Sequence, residues 1–567
     1  MHKTPRKTLL SSVISTAIAT AFVFAAPAQA DVRFYPVVNL ANNTGLSFSP
    51  DIAVGPENNV YVAWYDNTSG GTEILFSRST DAGTTFNAPK NVSNNLGYST
   101  FPSVIVGQNG TVHVSWQDTE YGASEIVYAK STDGGLTFST PVNVSNDEAA
   151  SVKVDMVMDA AGVLWMVWSD DSAMWLAKST DGGNTFSKQA VVSAAAGKAP
   201  IGPKITIAGG TMHLTYQQSI SLDLTHIMYL RSTDGGASFS TPVALTAVAG
   251  EATLPSVAAD NAGNVYVAWQ LRQGDERDVH MARSSDFGAT FSASSNITNN
   301  SGISIGADLF VDAAGTLYMV WQDTTPGNYE AMFMKSTDHG ASFGPQLNIA
   351  PSLLGSLITR GAVDTQGNIF AAWDDNRFGT FDPIVAAGRE GLPAIDDATA
   401  TPNPFSPNGD GIDDTTTVSA TFTEELKWQL DILDGSNRAL SVTRGTSTSL
   451  SQVWDGKDKR GRVAPDGTYK YKITGTKGDG TRAVPAEGTI KLSTVSNDVP
   501  PSLDDFVVDP TTFGPDGDGR RETISVRAVM NRALDWSISY QTMAGVELFS
   551  QNGNGFEVDV EWDGKDY

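Results

Sequence analysis

Five aspartates occupy one repeated address in this chain. Asp66, Asp118, Asp170, Asp323 and Asp375 each stand two residues after the aromatic that ends an alternating apolar run, as in VYVAW to Trp64, VHVSW to Trp116 and IFAAW to Trp373. Carboxylates at matched positions can act as a ring of acceptors for sugar hydroxyls or a cation. The plainer account is that each ties its own loop to backbone N–H groups. Arg272, Arg277, Arg360 and Arg377 fall in the same class of loops, as do Tyr98, Tyr121 and Tyr329, but no spacing assigns them roles. A second chemistry is suggested by PNGDGIDD from Pro407 and PDGDGRRE from Pro515. These crowd oxygen donors into tight glycine turns, as a Ca²⁺ loop does, although neither completes the D-x-D-x-D-G pattern. The candidate ligands are Asn408, Asp410, Asp413, Asp414, Asp516 and Asp518; the alternative is a capped acidic turn with no ion. Zero cysteines exclude disulfides and thiolate sites, and six scattered histidines give no HExxH spacing.

The elements that must position these groups repeat. KSTDGGLTF at Lys130 has close copies at Arg78, Lys178, Arg231, Arg283 and Lys335, with aspartates at Asp81, Asp133, Asp181, Asp234, Asp286 and Asp338. Their period of about fifty residues is that of propellers or solenoids. Seven alternating runs end in an aromatic, at Trp64, Trp116, Trp168, Tyr216, Trp269, Trp321 and Trp373, and each unit offers four short strands. The seventh unit lacks its fourth strand after PIVAAGRE. Residues 33–42, RFYPVVNLAN, resemble FSTPVNVSN and precede the first unit, so the N-terminal strand is expected to complete the seventh. The expected fold is all-β: a seven-bladed propeller over 31–390 closed by that strand. In such a ring the turns after strands one and three share a side and are short here. Loops after strand two share the other side with the connections between units, and are long and varied, which makes that side the expected recognition face.

The S-T-D-x-G-x-[ST]-F turn resembles the Asp box of sialidases and other propellers of the bacterial neuraminidase repeat type. The resemblance covers 31 to about 390 and implies a structural role for the six box aspartates, away from the working face. A sialidase would carry an arginine triad, a Tyr–Glu nucleophile pair, an Asp acid/base and an F/Y-R-I-P motif. RFYP at Arg33 is not that motif, and no residues match the rest. The expectation is therefore a binding protein for glycans or another cell-surface ligand. A sialidase-like glycosidase is the enzymatic alternative, and a structural spacer a third reading.

Past Gly391 a linker over 391–402 leads to a second duplication. FSPNGDGIDD at Phe405 and WDGKD at Trp454 recur 108 residues later at Phe513 and Trp562. Alternating strands suggest tandem Ig-like β-sandwiches over 403–495 and 496–567, the second cut short. The run from Trp454 to Tyr469 resembles the Ig-like domain of flagellar hook-capping proteins. At the other end, Lys3, Arg6 and Lys7 precede an apolar run ending in APAQA, the form of a signal peptide over 1–30. Without its three basic residues the formal charge of −26 becomes −29, which disfavours nucleic acid and anionic membrane surfaces. No later run is long enough to span a membrane. The expected location is secreted, cell-surface or periplasmic, with Ca²⁺ as the one expected cofactor.

Overall fold

The computed structural model describes residues 32–565 except 42, 195–197, 222–223, 247–249, 350, 410, 495–502, 515–521 and 543–545. The expected signal peptide, Asp410, Asp516 and Asp518 lie outside the described residues. The chain is all-β, 57% strand, and divides into two units, Met1–Leu392 and Pro393–Tyr567.

In the first unit, each stretch of about fifty residues forms a four-stranded antiparallel sheet in sequential order. The first holds Ser47–Val54, Val60–Asp66, Glu73–Ser79 and Lys90–Asn91. The sheets over 99–143, 152–193, 201–244, 251–296 and 304–348 repeat it, and one parallel bridge, Thr225 to Glu251, links the fourth to the fifth. Second strands are buried on both faces because sheets stack against each other. Trp64, Trp116, Trp168, Trp269, Trp321, Trp373 and Tyr216 are all under 2% exposed.

The fourth strands are shorter than the sequence pattern predicts. Most pair over two residues only, such as Val142–Asn143 and Leu347–Asn348. Pro89, Pro141, Pro242 and Pro345 stand just before this pairing and lack the N–H a longer ladder needs. The third sheet has no proline there, and its fourth strand, Ser187–Ser193, pairs along its length. The fifth is short without a proline, and nothing in the structure explains that.

The last sheet contains Ser356–Val363, Ile369–Asp375 and Asp382–Glu390, and is completed from the start of the chain. Val32–Phe34 pairs with Gly388 to Glu390, and Val38–Asn39 with Ile384 and Val385, with Pro36 in the gap. Tyr35 N–H donates to Ala387 O at 2.8 Å and Leu40 N–H to Pro383 O at 3.0 Å. First and last sheets also share a core in which Leu40, Ile52, Val62 and Trp64 meet Phe370, Ala372 and Val385.

Each S-T-D turn is a closed hydrogen-bond lock. In the first, Ser79 Oγ donates to Asp81 at 2.7 Å and accepts the Gly83 N–H at 2.9 Å, while Thr85 donates its N–H and hydroxyl to the same carboxylate. Gly83, at φ 77, brings the turn against Phe370 of the last sheet. The turns at Asp133, Asp181, Asp234, Asp286 and Asp338 repeat these bonds. Neighbouring turns are cross-linked, with Arg78 donating to Gly134 O and Lys130 to Gly182 O. The last basic residue of the series, Lys335, pairs with Glu390.

In the second unit, Ile395–Thr401, Thr416–Leu433, Gly467–Thr476 and Ala486–Leu492 form a sheet, with Ala439–Trp454 also on Thr416–Leu433. A register shift between Thr421 and Leu426 divides the long strand into two pairing segments. Phe405, Trp428, Trp454, Tyr469 and Tyr471 fill the core. Leu503–Asp509, Ile524–Gln541 and Glu547–Trp562 form a second sheet. Trp454 Nε1 donates to Lys457 O, and Trp562 Nε1 to Lys565 O, so the duplicated WDGKD runs make the same turn.

Candidate functional site at the loop end of the repeated sheets

The first strand of every repeated sheet breaks register at the same place, between Phe48 and Asp51 in the first and Leu357 and Arg360 in the last. The residue at the break has positive φ in all seven: Ser49, Phe101, Lys153, Gly202, Leu254, Gly306 and Ile358, between 47° and 65°. Only two are glycines, so the strain on the other five must be held by neighbours. The backbone N–H at the break supplies one such hold. That of Lys153 donates to Gln117 Oε1 at 3.3 Å, that of Leu254 to Gln217 Oε1 at 3.1 Å, and that of Ser49 to Asp374 Oδ2 at 3.0 Å. In each case the acceptor follows the strand-two aromatic of the preceding sheet, and for Ser49 that sheet is the last.

Two residues further on, the bulged strands stitch the sheets together. Asp51 accepts the Val104 N–H at 2.7 Å, Asp155 the Ile205 N–H at 2.9 Å, and Asp308 the Gly361 N–H at 3.0 Å. Where these bulges converge lies a cavity of about 420 Å³ lined from all seven sheets, within the ~300–1,000 Å³ usual for small-molecule sites. Charged groups in its wall include Asp51, Lys153, Asp155, Lys204, Asp308 and Arg360. Burial, only partly offset by Arg360 and the Val104 N–H, pushes the Asp51 carboxyl up to about 6. Asp374 is fully buried, and burial raises it well above the carboxylate range against the Ser49 N–H and Arg360.

The five aspartates after the aromatics are placed differently from a ligand ring. Asp66, Asp118, Asp170, Asp323 and Asp375 are at most 5% exposed. Asp118 accepts from Ser99 Oγ, Trp116 Nε1, Asn95 Nδ2 and the Glu120 N–H. Asp66, Asp323 and Asp375 accept from the matching serine and loop N–H, and Asp170 from Ser172 and Trp175. Of the two roles the sequence left open, loop-tying is the one their contacts fill. Arg377 is bound to Asp375 through Nε and a terminal nitrogen, both at 2.7 Å. Arg272 faces Glu251 at 3.7 Å on an exposed hairpin where it pairs with Arg277. Of the four arginines, Arg360 alone lines the cavity. Lys153 and Lys204 were not singled out by the sequence; the only signal for them is a proline or small residue one step beyond the bulge in several units. Tyr98 and Tyr121 are 64% and 49% exposed on this face.

Of the calcium candidates, Asp414 accepts the Gly409 and Gly411 N–H groups at 2.6 and 2.8 Å. Among the described residues no group of three or more acidic, histidine or cysteine side chains is arranged to hold a metal.

Residues 399–492 match the CHU_C type IX secretion signal domain. That match indicates export to the cell surface or medium, and among the described residues no helix is long and apolar enough to cross a membrane. No curated protein matches the chain. Among solved structures, a protein of unknown function from Dyadobacter fermentans is 13% identical, with 63% of this chain and 99% of that one covered at a TM-score of 0.41. An intramolecular trans-sialidase from Ruminococcus gnavus is 11% identical, with 52% and 92% covered at 0.40. An ulvan-degrading polysaccharide lyase is 10% identical, with 62% and 94% covered at 0.46.

Proposed function

We propose that the seven repeated sheets are the blades of a closed Asp-box propeller, and that this exported protein binds a glycan or another surface ligand on the loop face around the cavity. The convergence of seven strained bulges on one cavity is the observation that carries this reading. Strain of this kind is retained where surrounding structure over-determines it, commonly at ligand sites. Exposed Tyr98 and Tyr121 add apolar faces with polar tips to the loops of the second sheet. Binding without turnover is the expected behaviour, because Arg377 is committed to Asp375 and leaves Arg360 without a second arginine in the cavity wall. The test is a glycan array combined with a fluorogenic sialoside assay. Saccharide retention that weakens at least tenfold in a Tyr98→Ala, Tyr121→Ala double variant supports the reading. Sialoside turnover abolished by Arg360→Ala would replace it with a glycosidase.

The two duplicated modules are in this reading Ig-like, and a Ca²⁺ ion braces the Asn408 to Asp414 loop. The winding of Gly409 and Gly411 around Asp414 supports a compact acidic turn at that place. Millimolar Ca²⁺ over a site of about 10⁻⁵ M adds roughly 2.7 kcal/mol to the folded state. Calorimetry of the whole chain should show a C-terminal transition that EDTA lowers and that Asp410→Ala makes insensitive to EDTA. No heat of Ca²⁺ binding and an unmoved transition would leave only a capped turn.

A further inference from the structure

The cavity wall combines apolar bulge residues with three carboxylates and three cations that are only partly paired. Phe101, Leu254 and Ile358 occupy three of the seven bulge positions. Asp155 is spent on the Ile205 N–H and on Lys204, 2.9 Å away. Asp308 is spent on the Gly361 N–H and lies 3.4 Å from Ser256 Oγ. Arg360 Nε stands 3.9 Å from Asp51, beyond hydrogen-bond reach, while its terminal nitrogen donates to Thr359 O at 2.9 Å. Lys153 Nζ lies 3.4 Å above the centre of the Phe101 ring and has no ion pair among the described residues. The Phe101 face stabilises the ammonium and fixes its position. The wall thus carries three carboxylates and three cations, of which only Lys204 has a close ion pair; Lys153 has none among the described residues and Arg360 only the long one to Asp51, so two cations lack a hydrogen-bonded carboxylate.

We propose that this cavity binds an amphiphilic organic anion, its acidic group held between Lys153 and Arg360 and its apolar body against Phe101, Leu254 and Ile358. The proposal rests on the loop-face reading above for its place but not on a sugar being the ligand. Charge-assisted bonds to an acidic group gain strength away from bulk water, and the wall rewards an apolar body that a free inorganic anion lacks. Asp51 is the internal competitor for Arg360. The groups facing it are Arg360, the Val104 N–H, Lys204 and Asp155. Protonation of Asp51 as the pH falls through about 6 removes the competitor, so binding tightens toward acid.

The probes are 8-anilinonaphthalene-1-sulfonate and N-phenyl-1-naphthylamine, which share the ring system and differ in the sulfonate. The sulfonate probe is expected to bind with one-to-one stoichiometry and at least tenfold more tightly than the neutral one. Lys153→Gln and Arg360→Gln should each weaken it about tenfold, Lys153→Arg should restore it, and affinity should rise between pH 7.5 and 5.5. Leu254→Gln should weaken both probes, which checks the apolar wall without touching a charge. Melting curves identify any variant that has lost its fold. Equal affinity for the two probes, or indifference to both charge removals in folded protein, overturns the inference. A blank glycan array with the sulfonate site intact sinks the glycan reading alone. Saccharide retention with no charge-dependent probe site sinks this one alone.

Discussion

Removing residues 33–42 is expected to lower the melting midpoint of the N-terminal unit by several degrees, or to leave it unable to melt cooperatively. That segment is the outer strand of the last sheet, bonded to Asp382–Glu390 from both sides of Pro36. It carries Leu40, 5% exposed, and Phe34, whose ring lies 5.3 Å from that of Phe333. Burying such side chains contributes about 1.5–3 kcal/mol each, and at about 2.1 cal/mol/K per residue a unit of roughly 360 residues shifts by about 1.3 °C per kcal/mol. The deletion also bares a strand edge able to pair with other chains. Calorimetry decides the matter, since an unchanged midpoint would mean that the N-terminal pairing contributes nothing to stability.

Neighbouring carboxylates on Ile369–Asp375 should respond to mutation with opposite sign. Asp375 is fully buried, and burial raises its proton affinity. The bonds from Arg377, Trp373 and Ser356 outweigh that and hold it below the usual range. Its folded pKa is depressed, so its contribution is present above the unfolded value near 4 and is lost as pH falls through the folded one. Asp375→Ala removes the bonds that Arg377 and the Trp373 N–H make to a buried carboxylate, at a cost of about 3 kcal/mol near neutrality. That cost should shrink in acid. Asp374 is raised instead, by burial, and its Oδ1 has no partner. Its contribution is complete below the unfolded value and is lost as pH rises through the folded one. Asp374→Asn keeps an oxygen for the Ser49 N–H and cannot ionise, as Gln117 and Gln217 already do at their sheets. The variant should match the parent near pH 4 and exceed it progressively toward pH 8. Urea melts at three pH values test both, and an Asp374→Asn curve parallel to the parent would show that ionisation of Asp374 does not matter.

The repeated sheets were legible because two markers recur at fixed distance. The strand-two aromatic must fill the space between stacked sheets, and the S-T-D turn needs its serine, aspartate and glycine together to close its bonds. The strand from residue 33 could be matched to its sheet for a related reason: proline placement and a V-N pair repeat the fourth-strand pattern. The cavity left a weaker trace. Positive φ normally shows in sequence as glycine, but at the bulges it falls on Ser49, Phe101, Lys153, Leu254 and Ile358, of which Ser49, Lys153 and Leu254 are held by bonds from the neighbouring sheet. A feature enforced by tertiary contacts leaves little local signal. The loop aspartates stood out by their repeated spacing but could not be told from ligands, since an exposed acceptor and a buried one have the same residue type. The arginine of interest, Arg360, could not be separated from Arg377, whose partner Asp375 stands just two residues away.

Completing a sheet with residues 343 positions apart also sets an order of events as the chain is made. Closing a loop of that length costs about 5 kcal/mol of chain entropy, and none of its return is available until Asp382–Glu390 has been synthesised. Earlier sheets can stack on one another one at a time. The segment at 32–40 has to wait, extended and unpaired, for the last of them. Its short paired stretches on either side of Pro36 suit that wait, since a broken two- and three-residue ladder is a poor template for a wrong partner. The final strand pairing is therefore the last the unit can make, and a chain cut before residue 382 would leave residues 32–40 without the strand they pair with.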